Sequence, residues 1–302
     1  MENKDKKYIM TDEARTFKGH TLHRIKAIKS FGDIKEGDLG GFIESEENLS
    51  QYCEAWIYRN GCVYEDATVW HNAKIGNKNA TADDEINMQT VVYGRALVSG
   101  QVHIFDKAVI CGDAATTDNC KIYGNAYVDE NAWVRGCAEV SGNARIEGSS
   151  RIGGNAKIYG EANISGSSKI YGEAVVSGNA NIDFNTLIDG NADIALPGDY
   201  LVVQGLGERN SSITAYRDSN NGISVTYGYF IGTLDEFEQM VIKEHRENRL
   251  AKEYLKLIDL LKYHFGLLGG NASSVAFKTY ETAEKNKCGS YKESRGMDWW
   301  DE

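Results

Sequence analysis

Aliphatic β-branched residues recur at every sixth position over more than a third of the chain, from Ile86 to Ile194. Every one of these positions holds Ile or Val except Thr116, which is also β-branched. An Ala or Ser commonly stands two residues before each position, and a Gly two residues after it. Because a helix repeats every 3.6 residues and a flat strand every two, neither explains a period of six. The pattern predicts a solenoid that turns a corner every six residues and buries the aliphatic and small side chains.

The same period continues upstream, and an irregularity separates the two stretches. Ile57, Val63, Val69 and Ile75 keep the spacing of six, but the step from Ile75 to Ile86 is one residue short of two full periods. This gap predicts a deletion of one residue near positions 80–85. Residues 55–195 then suffice for about eight coils of three strands, stacked at the usual spacing of parallel strands.

The repeating unit A-x-[IV]-x-G-[NES] resembles the hexapeptide repeat of left-handed parallel β-helices, which is best known in acyltransferases. Residues 24–50, RIKAIKSFGDIKEGDLGGFIESEENLS, resemble the lead-in of poorly characterised bacterial and phage hexapeptide-repeat proteins, most of them described as acyltransferases. Residues 200–268 look like a small α+β domain found at the end of phage proteins. The resemblance therefore implies a left-handed β-helix and suggests a phage-encoded protein.

These patterns predict a mainly β protein in four parts. Alternation of apolar and polar residues in Tyr8–Phe17 and Leu22–Phe31 indicates strands, and a capping box of Thr233 and Glu236 indicates the start of a helix. Strands are also expected at 200–203, 213–217 and 223–230. We therefore expect an N-terminal cap at 1–54, a left-handed β-helix at 55–196, a small α+β domain at 197–268 and a flexible tail at 269–302.

Composition narrows the class of protein. The 302 residues carry a formal net charge of −11, which argues against general nucleic-acid binding. No apolar run approaches the length of a membrane span, and no signal peptide is recognisable. The six cysteines form no CxxC pair and have no metal-ligand spacing with histidine. We expect a cytoplasmic protein, in the host cytoplasm if phage-encoded, with no metal, no membrane association and no cofactor.

One outward face of the predicted solenoid combines cations with aromatic rings. Residues 18 positions apart stack on adjacent coils, so the side chains just before and just after the aliphatic positions form columns. On one face these columns bring together Trp133, Arg135, Arg151, Lys169 and Tyr171. Such a patch suits an anionic small ligand, an acidic protein surface such as that of a host protein, or another subunit. A solvated face whose long side chains cover the sheet is the structural alternative.

The resemblance to acyltransferases implies a different function. In that superfamily the β-helices form trimers, acyl-coenzyme A lies between neighbouring prisms, and a histidine is the general base. His103 and His71 are the two histidines of the predicted solenoid, and Lys121 and Tyr123 follow His103 and Phe105 by one coil. The enzymes usually also carry a loop that protrudes from one coil, and the expected deletion departs from that pattern. A histidine on a solvent face is also compatible with no chemical role.

The sequence thus favours a non-catalytic binding or interaction protein, with a homo-oligomer, most readily a trimer, as its expected state. The alternative is an acyltransferase that uses coenzyme A at a site between subunits. Trp299 and Trp300, adjacent in an acidic tail, are a further candidate for contact with a partner. Docking of the tail on the protein's own surface, or disorder, explains them equally well.

Overall fold

The computed structural model describes residues 6–81, 89–206, 211–246 and 248–267. Ile86, with which the longest periodic stretch begins, lies outside the described residues. So does the segment 269–302, with Trp299 and Trp300. The expectations of a flexible tail and of a tryptophan contact therefore remain untested.

The chain begins with an antiparallel hairpin that joins the first parallel sheet. The strands are β1 Tyr8–Phe17, β2 His20–Ala27 and β3 Leu39–Ile43. β1 pairs with β2 and β2 with β3, both antiparallel. β3 in turn pairs in parallel with the strand Gly61–Val63, so the parallel sheet begins upstream of residue 55. The two hairpin strands predicted from the alternation are present, but β2 begins at His20 and ends at Ala27 instead of spanning Leu22–Phe31.

Short strands of two or three residues build the solenoid. In chain order they are β4 Trp56–Ile57, β5 Gly61–Val63, β6 Thr68–Val69, β7 Lys74–Ile75, β8 Thr90–Val92, β9 Leu97–Val98, β10 His103–Ile104, β11 Val109–Ile110, β12 Ala115–Thr116, β13 Lys121–Ile122, β14 Tyr127–Val128, β15 Trp133–Val134, β16 Glu139–Val140, β17 Arg145–Ile146, β18 Arg151–Ile152, β19 Lys157–Ile158, β20 Asn163–Ile164, β21 Lys169–Ile170, β22 Val175–Val176, β23 Asn181–Ile182, β24 Leu187–Ile188 and β25 Asp193–Ile194.

These strands form three parallel sheets, which we call the first, second and third faces. The first face contains β5, β8, β11, β14, β17, β20 and β23, the second contains β6, β9, β12, β15, β18, β21 and β24, and the third contains β4, β7, β10, β13, β16, β19, β22 and β25. From β8 onward, paired residues are 18 positions apart, as for His103 and Lys121. The aliphatic positions, such as Ile146 and Ile152, are fully buried. The prediction of a parallel β-solenoid of about eight coils is therefore confirmed.

The expected deletion near positions 80–85 is wrong, because the chain carries an insertion there. Ile75 pairs with Ile104, and Val69 pairs with Val98, so both pairs span more of the chain than the regular coils do. The additional residues lie between β7 and β8. Since the step from Ile75 to Ile86 nearly equals two periods of six, spacing alone could not distinguish an insertion from the loss of a single residue.

A small α+β unit follows the solenoid. Its strands β26 Tyr200–Leu206, β27 Ser211–Arg217, β28 Ile223–Tyr227 and β29 Phe230–Thr233 form an antiparallel sheet in this order. The helices are α1 Leu234–His245 and α2 Arg249–His264. Thr233 caps α1 by accepting a hydrogen bond from the backbone N–H of Glu236, as predicted. Phe237 and Tyr254 are buried among the side chains that join the helices to the sheet.

The α+β unit closes the last coil of the solenoid. The Tyr216 side chain is fully buried in the solenoid core, and its hydroxyl donates a hydrogen bond to the carbonyl oxygen of Asp189 over 3.0 Å. The Thr226 hydroxyl donates to the carbonyl oxygen of Leu187 over 2.6 Å. The C-terminal end of the stacked sheets is thus covered, which protects its edge from pairing with another chain. No helix in the described part of the chain is long and apolar enough to cross a membrane.

Two buried serines at equivalent inward positions differ in hydrogen bonding. Replacing each of them by alanine should therefore change the free energy of unfolding in opposite directions. The Ser150 hydroxyl donates to the carbonyl oxygen of Glu147, whereas the equally buried Ser168 hydroxyl has no partner. Since a buried hydroxyl without a partner costs free energy, Ser168→Ala should raise the free energy of unfolding by about 1 kcal/mol. Ser150→Ala is the matched control and should lower it by a similar amount. Urea denaturation measures both, and equal effects of the two substitutions would contradict this account.

Candidate functional site

The second face brings the five predicted patch residues together. Trp133 pairs with Arg151, and Arg151 with Lys169, on the adjacent strands β15, β18 and β21. Arg135 and Tyr171 extend from the ends of β15 and β21 in the neighbouring column. We call these five residues, Trp133, Arg135, Arg151, Lys169 and Tyr171, the cationic patch.

Arg135 lies between the two aromatic rings of the cationic patch. Its guanidinium carbon is 4.8 Å from the centre of the Trp133 ring and 5.7 Å from that of the Tyr171 ring. Gly153 occupies the coil between Arg135 and Tyr171. A β-carbon there would lie 3.1 Å from the Tyr171 ring and 3.3 Å from Cγ of Arg135, so glycine leaves the space in which the two side chains meet. The rings hold the guanidinium in place while its N–H groups stay available.

The cations of the patch are not neutralised by neighbouring carboxylates. In the described part of the chain, no carboxylate oxygen lies within 4.0 Å of a side-chain nitrogen of Arg135, Arg151 or Lys169. By contrast, Arg145 on the first face is paired with Glu147. On a chain with a net charge of −11, three uncompensated cations in adjacent columns produce a local positive potential. The patch is therefore suited to attract and hold an anion.

A second site lies on the third face, beside the insertion. A cavity of about 810 Å³ is lined by three groups of residues: those of the N-terminal loop and first coil, those at the start of the insertion, and those of the following coil. They are Asp33, Tyr58, Lys74, Gly76, Asn77, Lys78, Asn79, Ala80, His103, Phe105 and Asp106. We call this the histidine cavity.

Asp33 organises the polar wall of the histidine cavity. Its carboxylate accepts hydrogen bonds from Lys74 Nζ over 3.1 Å and from the Tyr58 hydroxyl over 3.0 Å, and it lies 2.7 Å from Lys78 Nζ. Partial burial alone would raise the pKa of Asp33, but the hydrogen bonds from Lys78, Lys74 and Tyr58 hold it well below its usual range. Asp33 therefore stays ionised and ties the insertion to the N-terminal loop.

His103 lies at the edge of this cavity, in surroundings that favour the neutral form of its imidazole. Burial lowers the pKa of its imidazole below the ordinary value, and the charges of Lys121 and Lys74 lower it further. The neutral imidazole is the form required of a general base, and the cavity lining combines the cations of Lys74 and Lys78 with the carboxylates of Asp33 and Asp106. His71 lies elsewhere: it is exposed at the corner after β6, and its Nδ1 is 2.9 Å from the Ser99 hydroxyl. The structure thus does not bring the two predicted histidines into one site.

The part of the histidine cavity that comes from distant segments of the chain was not predicted from the sequence. Asp33 lies 41 residues before Lys74, and the period of six contains no information about the N-terminal loop. The available signal was the irregular spacing after Ile75. Within the described residues, no group of three or more His, Cys, Asp or Glu side chains could hold a metal ion.

The fold and its two sites define a parallel β-solenoid protein with an N-terminal antiparallel hairpin and a C-terminal α+β unit. Comparison of the chain with protein-family models gives no match. Comparison with curated proteins gives none either. The family named by the repeat therefore rests on the resemblance alone.

Proposed function

We propose that this protein is a non-catalytic binding protein that holds an anionic small ligand at the cationic patch. The observation that carries the proposal is Arg135, fixed between Trp133 and Tyr171 beside two further unpaired cations. A guanidinium held by rings binds a carboxylate or phosphate with little loss of side-chain entropy. An acidic protein surface, including that of a host protein if the chain is phage-encoded, offers the same chemistry.

A cytoplasmic location belongs to this proposal. Its support is the state of the cysteines: Cys53, Cys62, Cys111, Cys120 and Cys137, all in described segments, are free thiols. Free thiols are typical of reducing compartments.

Charge reversal in the patch tests the proposal, with tripolyphosphate as the probe in isothermal titration calorimetry. Arg151→Glu should weaken binding at least about tenfold, because a charge-assisted contact is replaced by repulsion. Arg145→Glu makes the same change in net charge on the first face and should alter the affinity by less than about twofold. Equal losses in the two variants, or no binding by the unsubstituted protein, would refute the small-ligand proposal.

The histidine cavity favours a second candidate function, acyl transfer from coenzyme A. The supporting observation is an insertion between β7 and β8, beside a cavity lined by His103, whose imidazole pKa is lowered below its ordinary value. A general base at His103 would take the proton of an acceptor hydroxyl or amine, with the site completed by a second subunit of a trimer.

Native mass spectrometry with acetyl-coenzyme A tests this candidate. Acyl transfer requires a trimer that takes up the cofactor, together with acetylation of an acceptor that is lost in His103→Ala and kept in His71→Ala. A protein that ignores acetyl-coenzyme A in every oligomeric state would exclude the enzyme and leave the binding function.

A further inference from the structure

A second cavity lies on the third face, separate from the histidine cavity and the cationic patch. It has a volume of about 440 Å³ and is lined by Tyr123, Glu139, Ser141, Gly142, Lys157, Tyr159 and Gly160. These residues belong to three consecutive coils, since β13 pairs with β16 and β16 with β19. We call it the serine slot, after the small residue at its base.

The serine slot interrupts a ladder of aromatic rings. The residues that follow β10, β13, β16 and β19 form one column, and they are Phe105, Tyr123, Ser141 and Tyr159. Phe105 and Tyr123 are stacked, with ring centres 4.9 Å apart and planes inclined by 1°. Ser141 stands where the next ring of the ladder would be. Tyr159, on the far side of Ser141, is 44% exposed.

The dimensions of the gap fit one inserted ring. Two coil spacings separate the positions of Tyr123 and Tyr159, about 9.6 Å at the usual distance between parallel strands. A planar group over the coil of Ser141 would be one strand spacing, about 4.8 Å, from the coils that carry Tyr123 and Tyr159, and this distance is within the range of stacked rings. It would thus continue the ladder with the spacing that Phe105 and Tyr123 already have.

The polar groups at the edge of the slot select among planar ligands. Glu139 accepts a hydrogen bond from the Tyr123 hydroxyl over 2.6 Å through one carboxylate oxygen, and the Ser141 side chain is hydrogen-bonded to the same hydroxyl, so the outer end of the Tyr123 ring is held over the coil of Ser141. Among the described residues, no carboxylate oxygen lies within 4.0 Å of the Lys157 ammonium group, although Glu139 is the cross-strand neighbour of Lys157. One cation and one acceptor therefore face the mouth of the slot.

We propose that the serine slot binds a planar aromatic ring that carries a carboxylate or phosphate and an N–H donor. The ring stacks between Tyr123 and Tyr159 above Ser141, the anionic group pairs with Lys157, and the donor meets Glu139. This site is independent of the anion bound at the cationic patch, because the two lie on different faces of the solenoid.

Filling the gap from the protein side tests this proposal. Ser141→Phe places a ring where the ligand ring belongs, in a column that already accepts rings on other coils. Indole-3-acetate, a carboxylate, and AMP, a phosphate, are the probes, observed by saturation-transfer NMR and titrated in the Arg151→Glu background to remove the contribution of the cationic patch. Ser141→Phe should weaken whichever probe binds at least tenfold, and Lys157→Gln should weaken it severalfold.

A matched control separates blockage of the slot from a general effect of a new surface ring. Ser165→Phe adds the same side chain at the corresponding outward position of the first face and should leave the affinity unchanged. The proposal is overturned if neither probe binds at millimolar concentration, or if Ser141→Phe and Ser165→Phe affect binding equally. Preference for indole-3-acetate or for AMP identifies the anionic group that the slot takes.

Discussion

Replacing Trp56 by alanine is expected to lower the free energy of unfolding by about 3–5 kcal/mol, among the largest effects of any single substitution in the solenoid. Trp56 precedes an aliphatic position and so belongs to the outward column of the third face, yet only 1% of it is exposed. The N-terminal segment covers it: its ring meets those of Tyr8 and Phe31 edge to face, with centres 6.5 Å and 5.5 Å apart. Removing the indole leaves a cavity between the cap and the first coil.

Trp70 supplies the control, because it is an outward tryptophan at an exposed position. It is 44% exposed, and Trp70→Ala should cost less than about 1 kcal/mol. Urea denaturation followed by circular dichroism measures both variants. A cap that is released should also expose the edge of the first parallel sheet, so Trp56→Ala should aggregate more readily. Similar losses of stability in the two variants would show that Trp56 does not join the cap to the solenoid.

The two tryptophans also show which parts of the fold could be predicted from the sequence. The period of six determines which side chains point inward, because each coil repeats the same three corners, and Ile146 and Ile152 are buried as expected. It assigns Trp56 and Trp70 alike to the outside. The two tryptophans differ in burial only because the N-terminal segment folds back over the first coil. Contacts of this kind, between distant segments, leave no periodic pattern in the sequence.

The candidate sites differ in the same respect: a site within the regular coils could be predicted from the sequence, and a site that includes distant segments could not. The cationic patch lies within the regular coils, so counting in steps of 18 was sufficient to place Trp133 next to Arg151. The histidine cavity depends on the insertion after Ile75 and on Asp33 from the N-terminal loop. Counting in steps of 18 also places Ser141 in the column of Tyr123 and Tyr159, but the serine slot depends on the orientation of the rings, which the sequence does not contain.

The second large effect that we expect is a pH dependence of the free energy of unfolding, caused by Lys7. Its side chain is buried, and its ammonium group donates hydrogen bonds to the carbonyl oxygens of Ala55 over 2.7 Å and Tyr52 over 3.2 Å. Burial lowers the pKa of Lys7 to about 7, with a smaller contribution from the charge of Lys74. In the unfolded chain the ordinary pKa is near 10.4. Between these two values the unfolded state therefore binds more protons than the folded state.

Stability should consequently rise with pH from about 7 to about 10, since the free energy of unfolding increases wherever the unfolded state binds the extra proton. At about 1.4 kcal/mol for each pH unit, the contribution of Lys7 between pH 7 and pH 9.5 amounts to about 3 kcal/mol. Lys7→Met should abolish this slope, whatever constant change in stability the substitution brings. Lys35→Met, at an exposed position, is the control and should preserve the slope. Urea denaturation of the three proteins at several pH values decides: parallel curves for the unsubstituted protein and Lys7→Met would mean that Lys7 keeps its proton throughout, held by the carbonyl oxygens around it.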